Sequence, residues 1–184
     1  MARIVVAMSG GVDSSVAALR LKEEGHELYG MSMNVWDYER EACDAAEGKS
    51  CCSPKDVEDA RRVCDGLGIP FFALNFREAF RQEVVKPFID DYVAGRTPNP
   101  CVLCNDKLKF DLLWQRAQAV EADFIATGHY SSLSPLADGA PRRLFRAVDR
   151  RKDQTYFLFG LKSPALERCL FPLGGLCKSE VREI

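Results

Sequence analysis

The chain has 184 residues, 47% of them hydrophobic and 28% charged, enough for one well-cored domain. It has no run of about 18 apolar residues to span a membrane, and its N-terminal apolar run is too short for a secretory leader, so the cytoplasm is the expected compartment. A net charge of −2 gives no global steering toward nucleic acid.

The elements alternate along the chain. Residues 3–8 read as an apolar, β-branched strand, and residues 13–24 as a helix closed by Gly25. A second strand is expected over residues 28–34. The helix over residues 54–67 opens with Ser53 as cap and Pro54 in its first position, and it ends at Gly68. A third strand covers residues 71–75. A long helix follows over residues 76–94, bent at Pro87. Residues 107–120 form another helix, and residues 123–127 a fourth strand. Such alternation predicts an α/β fold, a Rossmann-like parallel sheet with helices on both faces and ligands at the carboxyl ends of its strands. Residues 37–53, 95–105 and 131–153 interrupt the pattern as long irregular connections. The last seven residues read as the opening of a helix capped by Ser179. The natural chain is therefore expected to continue, with residues 1–184 as its N-terminal ATP-binding catalytic domain.

Charge is unevenly spread. Residues 37–59 hold eight acidic and three basic side chains. Residues 142–152 hold Arg142, Arg143, Arg146, Arg150, Arg151 and Lys152 against Asp149. That segment is either a phosphate-binding patch or a solvated loop.

Ser9-Gly10-Gly11-Val12-Asp13-Ser14-Ser15 joins the first strand to the first helix. Gly10 and Gly11 let backbone approach an anion. The helix N-terminus brings about half a positive charge to the same place. Ser9, Ser14 and Ser15 add hydroxyls, and Asp13 can hold a Mg²⁺ that bridges phosphates. Neither a Walker loop nor a Gly-x-Gly-x-x-Gly fingerprint is present. The pattern is that of the PP-loop family, which cleaves ATP between its α and β phosphates and passes AMP to an oxygen.

A second constellation is Arg96-Thr97-Pro98-Asn99-Pro100-Cys101-Val102-Leu103-Cys104-Asn105. The prolines stiffen the loop. Asn105 can cap the next helix, which would put Cys104 at a helix N-terminus and favour its thiolate. On its own, Cys-x-x-Cys fits half a zinc site, a redox pair, or a nucleophile with a neighbour.

Taken with the phosphate loop, this segment resembles the bacterial tRNA-specific 2-thiouridylase family. The likeness continues through Ala126-Thr127-Gly128-His129-Tyr130, Lys152-Asp153-Gln154-Thr155-Tyr156-Phe157-Leu158 and Leu170-Phe171-Pro172-Leu173-Gly174. The resemblance implies ATP-dependent 2-thiolation of a tRNA wobble uridine: adenylation at the C2 oxygen, then sulfur transfer from an enzyme persulfide with release of AMP. It implies ATP contacts from Ala7, Met8, Ser9, Gly10, Gly11, Val12, Asp13, Ser14, Met33 and Gly128. Asn99, Pro100 and Cys101 would face the target base, and Lys152, Asp153 and Gln154 would touch tRNA. Cys104 would be the catalytic cysteine that pairs with the persulfide carrier, a disulfide between the two being a further expectation. ATP and Mg²⁺ are the implied cofactors. The partners are tRNA and a sulfur-relay or cysteine desulfurase protein.

Two departures stand out. The family's second catalytic cysteine lies in a Gly-Ile-Cys-Phe-like segment that this chain lacks, and Cys169 and Cys177 do not match it. Some relatives have Asp where Cys101 stands, so Cys101 could instead join Cys104 and the missing cysteine around a [4Fe-4S] cluster. Rival readings are an amidotransferase-type PP-loop enzyme acting on a small molecule and a nucleotide-binding module without catalysis. Cys43, Cys51 and Cys52 read as belonging to an exposed loop, and Cys64 as a small core residue. Phe71, Phe72, Phe76 and Phe80 read as core. Met31 and Met33 share one strand face and default to packing, and His129 is as readily structural as catalytic. Asp153 would cap a helix.

Overall fold

The structure is a computed structural model that describes residues 1–36, 53–136 and 140–184. In chain order the elements are β1 (Arg3–Ala7), α1 (Val12–Glu23), β2 (Glu27–Asn34), α2 (Pro54–Leu67), β3 (Phe71–Asn75), α3 (Arg77–Phe80) and α4 (Lys86–Val93). Then follow α5 (Pro100–Leu103), α6 (Leu113–Ala117), β4 (Phe124–Thr127), β5 (Ser131–Leu133), β6 (Leu144–Arg146), α7 (Ser163–Leu166), β7 (Cys169–Leu170) and α8 (Lys178–Glu183).

Five strands form one parallel sheet in the order β3-β2-β1-β4-β7. The expected fold class is thus observed, with one addition: the two residues of β7 are too few to carry a periodic signal. Alternation along β1 sends Ile4 and Val6 to one face and Val5 to the other. Ile4 and Val6 pack with Ala18 and Leu21 of α1 and Ala60 and Cys64 of α2. Val5 packs with Val84, Leu108, Leu113 and Ile125 under the later helices. Both faces are therefore covered, and each fully buried Leu or Ile contributes about 1.5–3 kcal/mol.

The end signals of α2 act as the sequence suggests. The Ser53 hydroxyl accepts from the Asp56 N–H at 3.2 Å, while Asp56 Oδ2 accepts from the Ser53 N–H at 2.8 Å. Gly68 closes the helix at φ +62°. Residues 76–94 do not simply bend at Pro87. A π-helical turn over Arg81–Val85 precedes α4. The wider turn accommodates the ring and the missing N–H of Pro87. A second π-helical stretch, Cys104–Leu112, joins α5 to α6.

Other expectations change. Residues 131–153 are not wholly irregular, because β5 and β6 pair as an antiparallel ribbon. Cys177, not Ser179, caps the last helix, with its N–H donating to Glu180 Oε2 at 2.6 Å. Phe76 is buried, but Phe72 on the edge strand is 41% exposed. Phe80 sits half-buried, edge-on to Trp36. Cys64 is fully buried as expected, and its sulfur sits where a side chain on Gly30 would project. Cys43, Cys51 and Cys52 lie outside the described residues.

Candidate active site

The sheet order reverses between β1 and β4, so the loops leaving those two strands flank the crevice where doubly wound folds bind ligands. The loop after β1 is Met8–Gly11. Met8 continues the ladder by donating to the Met31 carbonyl at 2.8 Å. Gly10 then takes φ +73°, and a Cβ there would lie 2.2 Å from the Asp56 carbonyl oxygen at the start of α2. Gly11 forms the extended N-cap of α1. The serines hold this shape. Ser14 Oγ donates to the Gly11 carbonyl at 3.0 Å and accepts from the Ser9 N–H at 3.2 Å. Ser15 Oγ also donates to Gly11, at 3.0 Å. The first-turn N–H groups of α1 have no helical acceptors, which is the arrangement that suits an anion.

Asp13, in that first turn, accepts from the Tyr130 hydroxyl at 2.8 Å and from Lys178 Nζ at 2.5 Å. Both bonds fall on Oδ1, so Oδ2 can still meet a cation. A Mg²⁺ held by one carboxylate and substrate phosphates suits this donor set. Burial, then the bond to Asp13, raises the Tyr130 pKa and keeps the ring a donor. Lys178 is placed by its own N–H, which donates to Asp149 Oδ2 at 3.0 Å. That bond leads the causes holding the Asp149 carboxyl below the usual range. Neither Tyr130 nor Lys178 was singled out from sequence. Tyr130 ends the Ala-Thr-Gly-His-Tyr match, and Lys178 lies in the final helix opening, far from the loop in sequence.

Gly128, after β4, lies against the loop itself. A Cβ would meet the Asp13 carbonyl carbon at 2.7 Å and the Ser14 nitrogen at 2.8 Å. Its bareness seats the phosphate loop against β4. Met33 is buried, as is Met31. The Met31 carbonyl points to β1, and Met33 repeats that direction two residues on, past the end of β1. Its backbone therefore faces the crevice. Ala7, Met8, Ser9, Gly10, Gly11, Val12, Asp13, Ser14, Met33 and Gly128 thus converge at the carboxyl ends of β1, β2 and β4.

His129 is packed between Phe110 and Phe171, and its Nδ1 lies 2.7 Å from Thr127 Oγ1. Burial, aided by Lys109, holds its pKa well below the ordinary value. This geometry makes it a neutral core histidine.

The cysteine segment corrects one expectation. Asn99 caps the helix, its Oδ1 accepting from the Cys101 N–H at 3.1 Å, so α5 begins at Pro100. Cys101 stands exposed in the first turn, and half-buried Cys104 begins the π-helical stretch one turn later. Cys104 is therefore not at a helix N-terminus. Asn105 does not cap. It is buried and donates to the Phe157 carbonyl at 3.0 Å. Cys101 is a free thiol. Among the described residues no group of three or more His, Cys, Asp or Glu side chains is placed to hold a metal ion. Cys101 and Cys104 would supply only two of the four thiolates a [4Fe-4S] cluster takes.

In the basic segment, Arg142 is buried and works internally. Its Nη1 donates to the Leu166 and Cys169 carbonyls at 3.0 and 2.7 Å, and its Nε to the Ser134 carbonyl at 3.0 Å. Burial lowers its pKa without neutralising it. Asp153 caps no helix; its Oδ1 accepts from the Ala147 N–H and the Thr155 hydroxyl, and Oδ2 from Arg146. Gln154 grips Tyr130 twice: Oε1 accepts from the Tyr130 N–H at 3.0 Å, and its own N–H donates to the Tyr130 carbonyl at 2.9 Å. Of that triplet Lys152 alone is exposed, alongside Arg143, Arg146, Arg150 and Arg151.

Comparison with known proteins decides the family. A family model described as the tRNA methyl transferase HUP domain matches residues 2–184. The chain belongs to that family. It is 54% identical over 183 residues to the tRNA-specific 2-thiouridylase MnmA of Geotalea uraniireducens, covering 99% of this chain and 48% of the relative. The MnmA protein of Geobacter metallireducens is also 54% identical, over 99% of this chain and 50% of its own length. The chain thus spans about half the length of these relatives. Among solved structures, a predicted tRNA methyltransferase subunit from Methanocaldococcus jannaschii matches with TM-score 0.55 at 16% identity, over all of this chain and 73% of that one. An NH3-dependent NAD synthetase from Campylobacter jejuni matches with TM-score 0.52 at 18% identity, over 98% of this chain and 61% of that one. At these identities the structures establish the shared fold. Among the described residues no helix is long and apolar enough to cross a membrane.

Proposed function

We propose that this chain is the ATP-binding catalytic part of an enzyme that 2-thiolates the wobble uridine of tRNA. The carrying observation is the placement of Ser9–Ser14 at the switch between β1 and β4, in a chain 54% identical to a 2-thiouridylase over nearly its whole length. In this reading the uridine C2 oxygen attacks the ATP α-phosphorus, and the bond to the β-phosphate breaks to release pyrophosphate. The terminal sulfur of a cysteine persulfide then attacks C2, and the C2–O bond breaks to release AMP. Attack by the Cys104 thiolate on the persulfide carrier frees that sulfur and leaves a disulfide. A thiol reductant then opens that disulfide by exchange, taking the oxidation onto itself, and a cysteine desulfurase or relay protein recharges the freed carrier thiol.

The residues divide this work. The N–H groups at the start of α1 meet the phosphates, and Asp13 would hold a Mg²⁺ that neutralises phosphate charge. Lys178, now paired with Asp13, keeps a positive charge beside the same phosphates. Asn99, Pro100 and Cys101 present the target base to Cys104, and Lys152, Asp153 and Gln154 meet the tRNA. Gln154 also clasps Tyr130, the donor to Asp13, so RNA contact and phosphate site share one hydrogen-bonded path.

Pyrophosphate release measured on the full-length protein, with and without unmodified tRNA, tests the assignment. Release should require tRNA, and Cys104→Ser should retain it while losing thiolated product. A tRNA-independent rate would sink the reading.

A further inference from the structure

Two aromatic rings stand in solvent beside the cysteine turn. Tyr156 is 65% exposed and Phe159 67%. Tyr156 lies 5.9 Å from Phe159 between ring centroids and 5.5 Å from Phe157, so they form one cluster. Their position is fixed from two sides. Asn105, the residue after Cys104, holds the Phe157 carbonyl, and Gly160 approaches Val102 closely enough that a Cβ would touch it at 3.6 Å. On the other side the Thr155 hydroxyl bonds Asp153 at 2.7 Å and reaches the Phe145 carbonyl at 3.4 Å. Exposed Arg146, Arg150, Arg151 and Lys152 lie on the ribbon and loop that lead into this turn.

Large rings left in water forgo much of the stabilisation that their burial would give. Rings interleaved with cations suit an unstacked polyanion: bases stack on the rings while phosphates meet the cations. A duplex would offer no free base faces. We propose that Tyr156 and Phe159 form a stacking platform for unpaired RNA bases flanking the base delivered to Cys101 and Cys104. The proposal deepens the tRNA reading above and rests on it.

The test uses unmodified tRNA with 2-aminopurine placed beside the wobble uridine. Binding should quench its fluorescence. Tyr156→Ala and Phe159→Ala should each weaken tRNA binding about tenfold and abolish the quench, while ATP binding stays unchanged. Tyr156→Phe should restore both signals. As a readout independent of variant folding, tRNA with 5-iodouridine at the same place should crosslink to Tyr156 or Phe159. Quenching and affinity unchanged in the alanine variants, or crosslinks elsewhere, would overturn the platform and leave tRNA binding intact. Such a result would mark the rings as a protein contact. Absence of any tRNA binding by the unsubstituted protein would overturn the functional reading and the platform together.

Discussion

The phosphate loop and the basic segment are both rich in polar residues, and they use them in opposite ways. In the loop, the residues that look like ligands also keep the backbone open: Ser9, Ser14 and Ser15 bond inward while the N–H groups of α1 stay available. In the basic segment the side chains that look most like phosphate ligands are partly consumed by the fold. Arg142 clamps three carbonyls, and Asp153 and Gln154 are held by their own chain. A glycine-bearing strand–helix junction is constrained by backbone geometry, so its shape can be read from its pattern. A cluster of arginines is not, because guanidinium serves a buried carbonyl as well as a phosphate.

That contrast can be broken from either side. The largest effect should come from Gly128→Ala, whose Cβ would strike the Asp13 and Ser14 backbone. Displacing the loop should weaken ATP binding more than about a hundredfold, roughly 3 kcal/mol, by titration calorimetry. Wild-type affinity would mean that the loop does not depend on its seat against β4. Next is Arg142→Ala, which leaves three carbonyls without their donor and should cost about 3 kcal/mol of unfolding free energy in urea. If it lowers RNA affinity without changing stability, the buried clamp is the wrong description.

A smaller effect is expected at His129. Its folded-state pKa is held below the unfolded value of about 6.5, so the unfolded chain takes up a proton first as pH falls. Stability should therefore be unaffected above that pH and, between pH 7.5 and 5.5, drop further than in His129→Gln, by at most about 1.4 kcal/mol. Parallel urea curves at both pH values measure the difference; equal losses would refute it. Smallest are Arg150→Ala and Arg151→Ala. Each should reduce the salt dependence of RNA binding by about 0.7 in log–log slope, with no change in melting temperature.

The α/β alternation, the four longer strands and the caps of α2 were legible because each rests on a local signal: apolar runs, Ser53 with Asp56, and Gly68. The short β7 and the β5–β6 ribbon were not, since two or three residues carry no period and their pairing is tertiary. The same division runs through the site. Ser9–Ser14 announced itself, whereas Tyr130 and Lys178 meet Asp13 across 117 and 165 residues of chain. Asn105 misled for a related reason. An Asn after Cys-x-x-Cys looks like a cap, but Asn99 and Pro100 start the helix earlier and leave Asn105 to reach Phe157.

The burial of two cysteines has a practical use at the bench. Desolvation pushes the Cys64 thiol up to about 11 and the Cys169 thiol up to about 12. At pH 7.5 fewer than about one in a thousand of either would be thiolate, so alkylating reagents should pass them by. Exposed Cys101 is open to the same reagents. Once Cys43, Cys51, Cys52 and Cys177 are replaced by serine, an alkylation mass map would read the cysteine turn against a silent core, and a persulfide there would register as one extra sulfur.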